Sequence, residues 1–237
     1  MSDIHATTHQ HPEDGGWLRP AVFGAMDGLV SNFALIMGVF GGSAAASSGT
    51  KPVILAGFAG LAAGAFSMAA GEYTSVASQA EFIEAQVNVE RREIRDHGTI
   101  EQAELAERFE ALGIDRATAE QASEAIHSDP EAALQVHSLT EFGVRPGEYP
   151  SPMVAAVSSF ISFAVGAAVP LLPFLLGTTV ITATVVMSLL ALFACGAVVT
   201  RITSQPWWFG GLRQLVLGGI AAALTYGVGD LVGTGLG

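Results

Sequence analysis

Basic side chains and cysteine are scarce in this chain. Of its 237 residues ten are Lys or Arg, against 22 Asp or Glu, for a formal net charge of −12. Phosphate backbones are held by Lys and Arg patches, so nucleic acid is excluded as an expected partner, whereas an acidic surface concentrates cations. The one cysteine, Cys195, leaves no intrachain disulfide and gives no sign of an extracellular scaffold. Lying in an apolar run, it reads as a small apolar side chain. The sequence has no HExxH, no GxSxG, no phosphate loop and no Ser/His pair within its apolar runs. An enzyme would therefore lack a recognisable nucleophile. A cleavable signal peptide is not expected: the first residues are polar, and the first apolar run has the length of a span and contains Asp27 and Asn32.

Apolar residues, in contrast, are abundant and come in long blocks. Crossing about 30 Å of hydrocarbon takes about 20 mostly apolar residues. Five stretches qualify: Pro20–Gly42, Pro52–Ser75, Pro152–Leu172, Leu176–Thr200 and Leu212–Val232. Buried helices of a soluble α protein are the alternative. Length opposes it, as does Leu176–Thr200, where Cys195 is the only ionisable group. The expected fold class is an all-α membrane protein with five transmembrane helices and a helical insertion between spans 2 and 3. If the spans alternate, Arg19, the arginines of the insertion, Arg201 and Arg213 share one side, with Lys51 opposite. The positive-inside rule then puts the N-terminus and the insertion in the cytoplasm. Trp207 and Trp208 beside Pro206 read as an interfacial anchor.

The expected organisation is a polar tail over 1–18, spans 1 and 2 within 19–75, an acidic helical domain over 76–147, and spans 3 to 5 within 148–237. In the tail, His5, His9 and His11 offer either a metal-capturing tract or plain disorder. Gly41–Thr50 reads as a Gly/Ala/Ser loop. The acidic domain holds fifteen Asp or Glu against six Arg. Span 2 is expected to continue into water as one helix to His97, stopped by Gly98. Further helices are expected over Thr99–Leu112, from Asp115 to about His127, and over Glu131–Phe142, the last ended by Gly143.

Glu90 and Glu93 lie three apart with His97 four further on, which places them on one helix face. Glu101 and Glu104 repeat the spacing of three, Glu107 continues their edge, and His137 and Glu141 are four apart. Helical bundles build di-metal carboxylate sites with similar spacing. Oxygen-rich ligation suits Mg²⁺, Ca²⁺ and Mn²⁺, and imidazole admits Fe²⁺ and Zn²⁺. A solvated acidic surface with Glu–Arg pairs through Arg91, Arg92, Arg95 and Arg108 explains the same spacing, and spacing does not separate the two.

The apolar runs carry a sharper signal. A carboxylate near a bilayer centre costs about 2.5–3.5 kcal/mol on insertion scales, so Asp27 should face a cavity or a partner. Ser31 is one turn away with Asn32 beside it, and Met68 and Glu72 are four apart on span 2. Together Asp27, Ser31, Asn32, Met68 and Glu72 could line a polar path whose thioether favours transition metals over Ca²⁺ or Mg²⁺. The plainer readings are an interhelical hydrogen bond for Asp27, packing for Met68 and an interfacial carboxylate for Glu72.

The segments GAMDGLVSNFALIMGV, LAAGAFSMAAGEYTSVASQ, PLLPFLLG and LRQLVLGGIAAALTYGVG, with the acidic helices between them, closely resemble the vacuolar iron transporter (VIT) family over residues 16 to 235. The resemblance implies a five-span protomer, a homodimer with the translocation path between its copies, and cytoplasmic metal-binding helices. It also implies Fe²⁺ transport, with Mn²⁺ or other divalent ions accepted, against protons. By position, Asp27 matches the family's intramembrane aspartate and Met68 its pathway methionine. Glu90, Glu93, Glu101, Glu104 and Glu141 match glutamates of the metal-binding helices. Gly60 stands where some plant members have a glutamate, and His137 and Ser138 where they use Met and Glu ligands. His137 can substitute as a ligand; Ser138 is not expected to.

The expectation is a proton-coupled Fe²⁺/Mn²⁺ exporter with no prosthetic group, its metal (Fe²⁺, Mn²⁺ or Zn²⁺) bound as substrate. Its partners would be protons, membrane lipid and a second copy of the chain. The expected home is a bacterial plasma membrane. A membrane-tethered metal sensor or buffer without flux is the rival, and Asp27 argues against it, because a tethered sensor needs no carboxylate at bilayer depth.

Overall fold

The computed structural model describes residues 16–45, 50–203 and 205–235, and every regular element among them is helical. The histidines of the N-terminal tail lie outside the described residues. The chain divides into two compact units, one formed by Met1–Thr74 with Pro152–Gly237 and the other by Ser75–Ser151.

The first unit contains α1 (Leu18–Ala45), the opening part of α2 (Lys51–Ala111), α5 (Pro152–Ala168), the short α6 (Leu172–Leu175), α7 (Ile181–Thr203) and α8 (Trp207–Gly235). Among the described residues, five helical runs are long and apolar enough to cross a membrane. Their bounds differ from the sequence expectation for local reasons. Pro170 and Pro173 supply no backbone N–H, so the third run breaks at Ala168 into a 3₁₀ turn, Val169–Leu171, before α6. Gly177 takes a left-handed φ of 84° after α6, which leaves 176–180 in the connection and starts α7 at Ile181. At the other end, α1 passes through Gly41 and Gly42 to Ala45, where composition suggested a loop.

Leu29, Phe33 and Ile36, spaced four and three apart, form the buried stripe of α1. Leu29 and Phe33 pack with Leu192 and Ala222, and Ile36 packs with Val53, Leu171 and Phe174. Hydrocarbon solvates leucine as well as another helix does, so close approach and hydrogen bonds must carry helix association here. Both are present. A Cβ built on Gly28 would lie 3.0 Å from the Phe163 Cα, which is backbone of α5. Across α1 and α8, Thr225 Oγ1 donates to Ala34 O at 2.7 Å. Gly28→Val is therefore expected to force α1 from α5, because backbone cannot yield as a flexible side chain can. A destabilisation of roughly 1–3 kcal/mol should appear as a lower melting temperature in detergent; an unchanged melting temperature contradicts this packing. Outward, Leu55 and Leu231 are each 73% exposed, and such faces suit hydrocarbon rather than water.

The second unit combines the remainder of α2 with α3 (Arg116–His127) and α4 (Pro130–Phe142). At His97 the helical run of α2 is broken, with φ −134° and ψ 31°, one residue before the expected stop at Gly98. Asp115 caps α3 by accepting from Thr118 N at 3.1 Å, and Asp129 caps α4 by accepting from Glu131 N at 3.0 Å. Gly143 ends α4 at a left-handed φ of 68°. The core is small: Val87, Ile94, Ala133 and Leu134, with Ile83 and Ile126 against it. Ser123 Oγ donates to Gln102 O at 2.5 Å, tying α3 to the part of α2 beyond the break.

Candidate functional site

In a straight helix, the eleven-step rise from Glu90 to Glu101 would hold them about 16 Å apart. The break at His97 removes that separation. One ligand atom each from Glu90, Glu101 and His137 lies within 4.8 Å of the other two. All three side chains are buried, at 3%, 7% and 0% exposure. His137 Nδ1 lies 2.9 Å from Glu90 Oε1, 3.3 Å from Glu141 Oε1 and 3.8 Å from Glu101 Oε2. A single ring hydrogen cannot serve three carboxylates. Glu90 Oε1 and His137 Nε2 are buried without a hydrogen-bond partner among the described residues. Three carboxylates and one imidazole are a donor set for a divalent ion such as Mn²⁺, Fe²⁺ or Zn²⁺.

Electrostatics agree with the geometry. Burial, then the charges of Glu141, Glu101 and Glu93, push the Glu90 carboxyl up to about 7, with Arg108 pulling the other way. Glu101 is raised for the same reasons, burial first and then Glu104, Glu93 and Glu141. Burial lowers His137, against the hydrogen bond to Glu141. Near neutral pH the centre thus holds a neutral imidazole and a carboxyl poised to lose its proton. A bound cation favours that loss.

The other expected ligands stand further out. Glu93 and Glu104 are exposed, as is Glu107. Arg108 Nη1 is 2.5 Å from Glu141 Oε1, and its Nη2 is 4.0 Å from Glu104 Oε2. The Glu–Arg pairing reading therefore describes the rim and reaches the centre at Glu141, whose Oε1 faces both Arg108 and His137, while Glu90 and Glu101 face the imidazole. His97 does not join Glu90: it is exposed at the break itself, where the helical face it was expected to share ends. His127 is the residue that spacing missed. Its ring meets that of His137 edge-on, with centroids 5.2 Å apart. Nothing in its position relative to the glutamates signals this, since α3 owes its placement to tertiary packing.

In the first unit a cavity of about 260 Å³ is lined by Asp27, Ser31 and Asn32 of α1, Gly60, Gly64 and Met68 of α2, and Phe163 of α5, among others. A water occupies about 30 Å³ of liquid, so the space admits a partly hydrated ion. Asn32 Nδ2 donates to Ala167 O at 2.6 Å, which fixes the amide. Its Oδ1 has no hydrogen-bond partner among the described residues and faces Gly60, whose absent Cβ would lie 2.9 Å away. Met68 packs on the cluster of Ala65, Phe163 and Ala167 and lines the cavity as well. Glu72 is half-buried one turn further along α2 and is not part of the cavity wall.

A model of the VIT family matches residues 18–230. The chain is 34% identical over 222 residues to the "Vacuolar iron transporter" of Acanthamoeba castellanii, covering 91% of this chain and 78% of that protein. It is 30% identical over 233 residues to "Vacuolar iron transporter 1" of Oryza sativa subsp. japonica, covering 95% and 91%. It is also 33% identical over 224 residues to "Vacuolar iron transporter homolog 1" of Arabidopsis thaliana, covering 92% and 84%. Matched along nearly its whole length, and to relatives covered over most of theirs, this chain belongs to the VIT family.

Proposed function

We propose that this protein moves divalent transition metal, Fe²⁺ with Mn²⁺ accepted, out of the cytoplasm in exchange for protons, along a path between two copies of the chain. One observation carries the reading. Asp27 lies within a helix apolar enough to cross a membrane, and it shares a cavity with the oxygens of Ser31 and Asn32 and the thioether of Met68. Its oxygen donors suit a hard or borderline cation, and the sulfur tilts the preference toward transition metals. The relatives named iron transporters support the same cargo.

In this reading the acidic unit collects ions through Glu90, Glu101, His137 and Glu141, with Glu93 and Glu104 at its rim. Metal entering displaces protons from the buried carboxyls. Asp27, Ser31, Asn32 and Met68 then pass the ion, and Glu72 offers a carboxylate at the end of the same helix stripe. Exchange of protons for metal on these carboxylates supplies the antiport. The protein is a transporter rather than an enzyme, embedded in lipid as a homodimer, with five spans and a cytoplasmic acidic unit. We place it in a bacterial plasma membrane, although the relatives are named vacuolar.

The test is flux through purified protein in liposomes with a trapped metal-sensitive dye and an acidic interior. Fe²⁺ and, in competition, Mn²⁺ should enter only when the proton gradient is present. Everted plasma-membrane vesicles, cytoplasmic face outward, should accumulate metal in the same way. The rival reading, a sensor or buffer, draws on the buried Glu90–Glu101–His137 cluster. It is chosen if metal binds and alters the structure while no flux develops.

A further inference from the structure

We infer that His127 is the positioning residue of the acidic-unit centre: when His137 takes a metal on Nδ1, His127 Nε2 accepts the hydrogen bond from His137 Nε2–H. The inference rests on reading Glu90, Glu101 and His137 as the metal donors.

The argument follows the hydrogens. In the metal-free centre His137 Nδ1 faces carboxylate oxygens, so its hydrogen belongs there. A metal on Nδ1 needs that lone pair. A neutral ring that gives up the Nδ1 hydrogen carries it on Nε2 instead, with no change in ring charge. Nε2 is buried in a side chain with 0% exposure and has no hydrogen-bond partner among the described residues. A buried N–H left without an acceptor loses its hydration with nothing in return, and that loss would be subtracted from metal binding.

His127 is placed to remove that cost. Its ring meets that of His137 with centroids 5.2 Å apart and planes at 87°. His127 Nδ1 lies 3.0 Å from Ser123 O, and a carbonyl only accepts, so the hydrogen of the neutral ring sits on Nδ1. Nε2 is then a bare lone pair, and it too is buried without a partner among the described residues. Ser123 is in turn held by its Oγ bond to Gln102 O, one residue from Glu101. The relay runs from the Ser123 carbonyl through His127 to His137 and the metal, and links α3 to a centre whose donors come from α2 and α4. Ser138, the other buried polar neighbour, points about 100° further round α4. Metal-binding histidines commonly donate their second N–H to such a partner, whose loss costs about 10–100-fold in affinity.

The experiment titrates the full chain in detergent with Co²⁺, followed by its visible bands. His127→Phe keeps an aromatic ring against His137 and removes the acceptor; it should weaken Co²⁺ binding by about 10–100-fold. His127→Gln keeps an acceptor oxygen and should recover most of that loss. In a His137→Gln background, His127→Phe should have no further effect. Wild-type affinity in His127→Phe, or the same loss without His137, overturns the inference. Binding that needs Glu90 but not His127 overturns it alone. Absence of Co²⁺ binding by the wild type, or binding indifferent to Glu90→Gln, overturns the metal reading as well. A second measurement needs no variant: ¹⁵N spectra of the histidine-labelled protein with Zn²⁺ should show His137 metallated at Nδ1 and protonated at Nε2. Metallation at Nε2 would refute the relay.

Discussion

Asp27→Asn protein, purified and reconstituted, is expected to lose Fe²⁺ flux by about a hundredfold or more while remaining folded. A buried charged ligand is worth roughly 3 kcal/mol or more to the group it pairs with, and each 1.4 kcal/mol is a factor of ten. Asparagine keeps the shape and one oxygen but removes the charge that offsets desolvation of a divalent ion. The two readings of Asp27 part company over stability. If its role were an interhelical hydrogen bond, the amide would serve and flux would survive. If the carboxylate is kept for the ion, removing it relieves the span of a group that costs about 2.5–3.5 kcal/mol on insertion scales, so melting should be unchanged or higher. Flux at the wild-type rate in Asp27→Asn liposomes would end the proposal that Asp27 lies on the path.

The second large effect is expected at Glu90. In the wild type, metal must compete with a proton on a carboxyl whose midpoint lies at about 7. Affinity for Mn²⁺ should therefore fall by about tenfold between pH 8 and pH 6 on account of this group. The stability sign is opposite. The folded-state value is raised above the ordinary 4.5, so the fold gains from the protonated form, and metal-free stability should decline as pH rises from about 4.5 through 7. Glu90→Gln removes both trends: metal-free melting becomes flatter with pH, and Mn²⁺ binding to the acidic unit drops by about a hundredfold. Some flux should remain if, as proposed, this unit collects ions and Asp27 passes them. Calorimetric titration at pH 6, 7 and 8, paired with melting curves, checks this. A variant that binds as the wild type does and keeps its pH slope would show that Glu90 is not a ligand.

Much of the architecture was legible without coordinates, and the reasons are local. Hydropathy is a property of consecutive residues, so the apolar runs were visible as blocks, as was the acidic block between them. Asp115, Asp129 and Gly143 announced helix ends because capping involves only neighbouring backbone groups. Where a helix end depended on several prolines at once, as at Pro170 and Pro173, the boundary moved by a few residues. Over 41–45 the expected loop is helix instead, for another reason, while 46–49 lie outside the described residues. Glycine there serves the approach of α1 to α8 rather than a turn: a Cβ on Gly41 would lie 2.6 Å from Tyr226 O and 3.2 Å from Asp230 N, both backbone of α8.

The sites divide along the same line. Carboxylates three or four apart on a helix point to a shared face, and that is how Glu90, Glu101, His137 and Glu141 became candidates. Spacing treats Glu93 and Glu104 as their equals, yet those two are exposed on the rim. What ranks them is the break at His97, which brings two stretches of α2 to one imidazole of α4, and burial, which raises the proton affinity of Glu90. Likewise Asp27, Ser31 and Asn32 are neighbours in sequence, and their polarity within an apolar run was enough to single them out. That Gly60 leaves room beside Asn32 Oδ1, and that His127 backs His137, depends on contacts between residues distant along the chain. A linear pattern records the period of one helix; it carries no information about which neighbour that helix will meet.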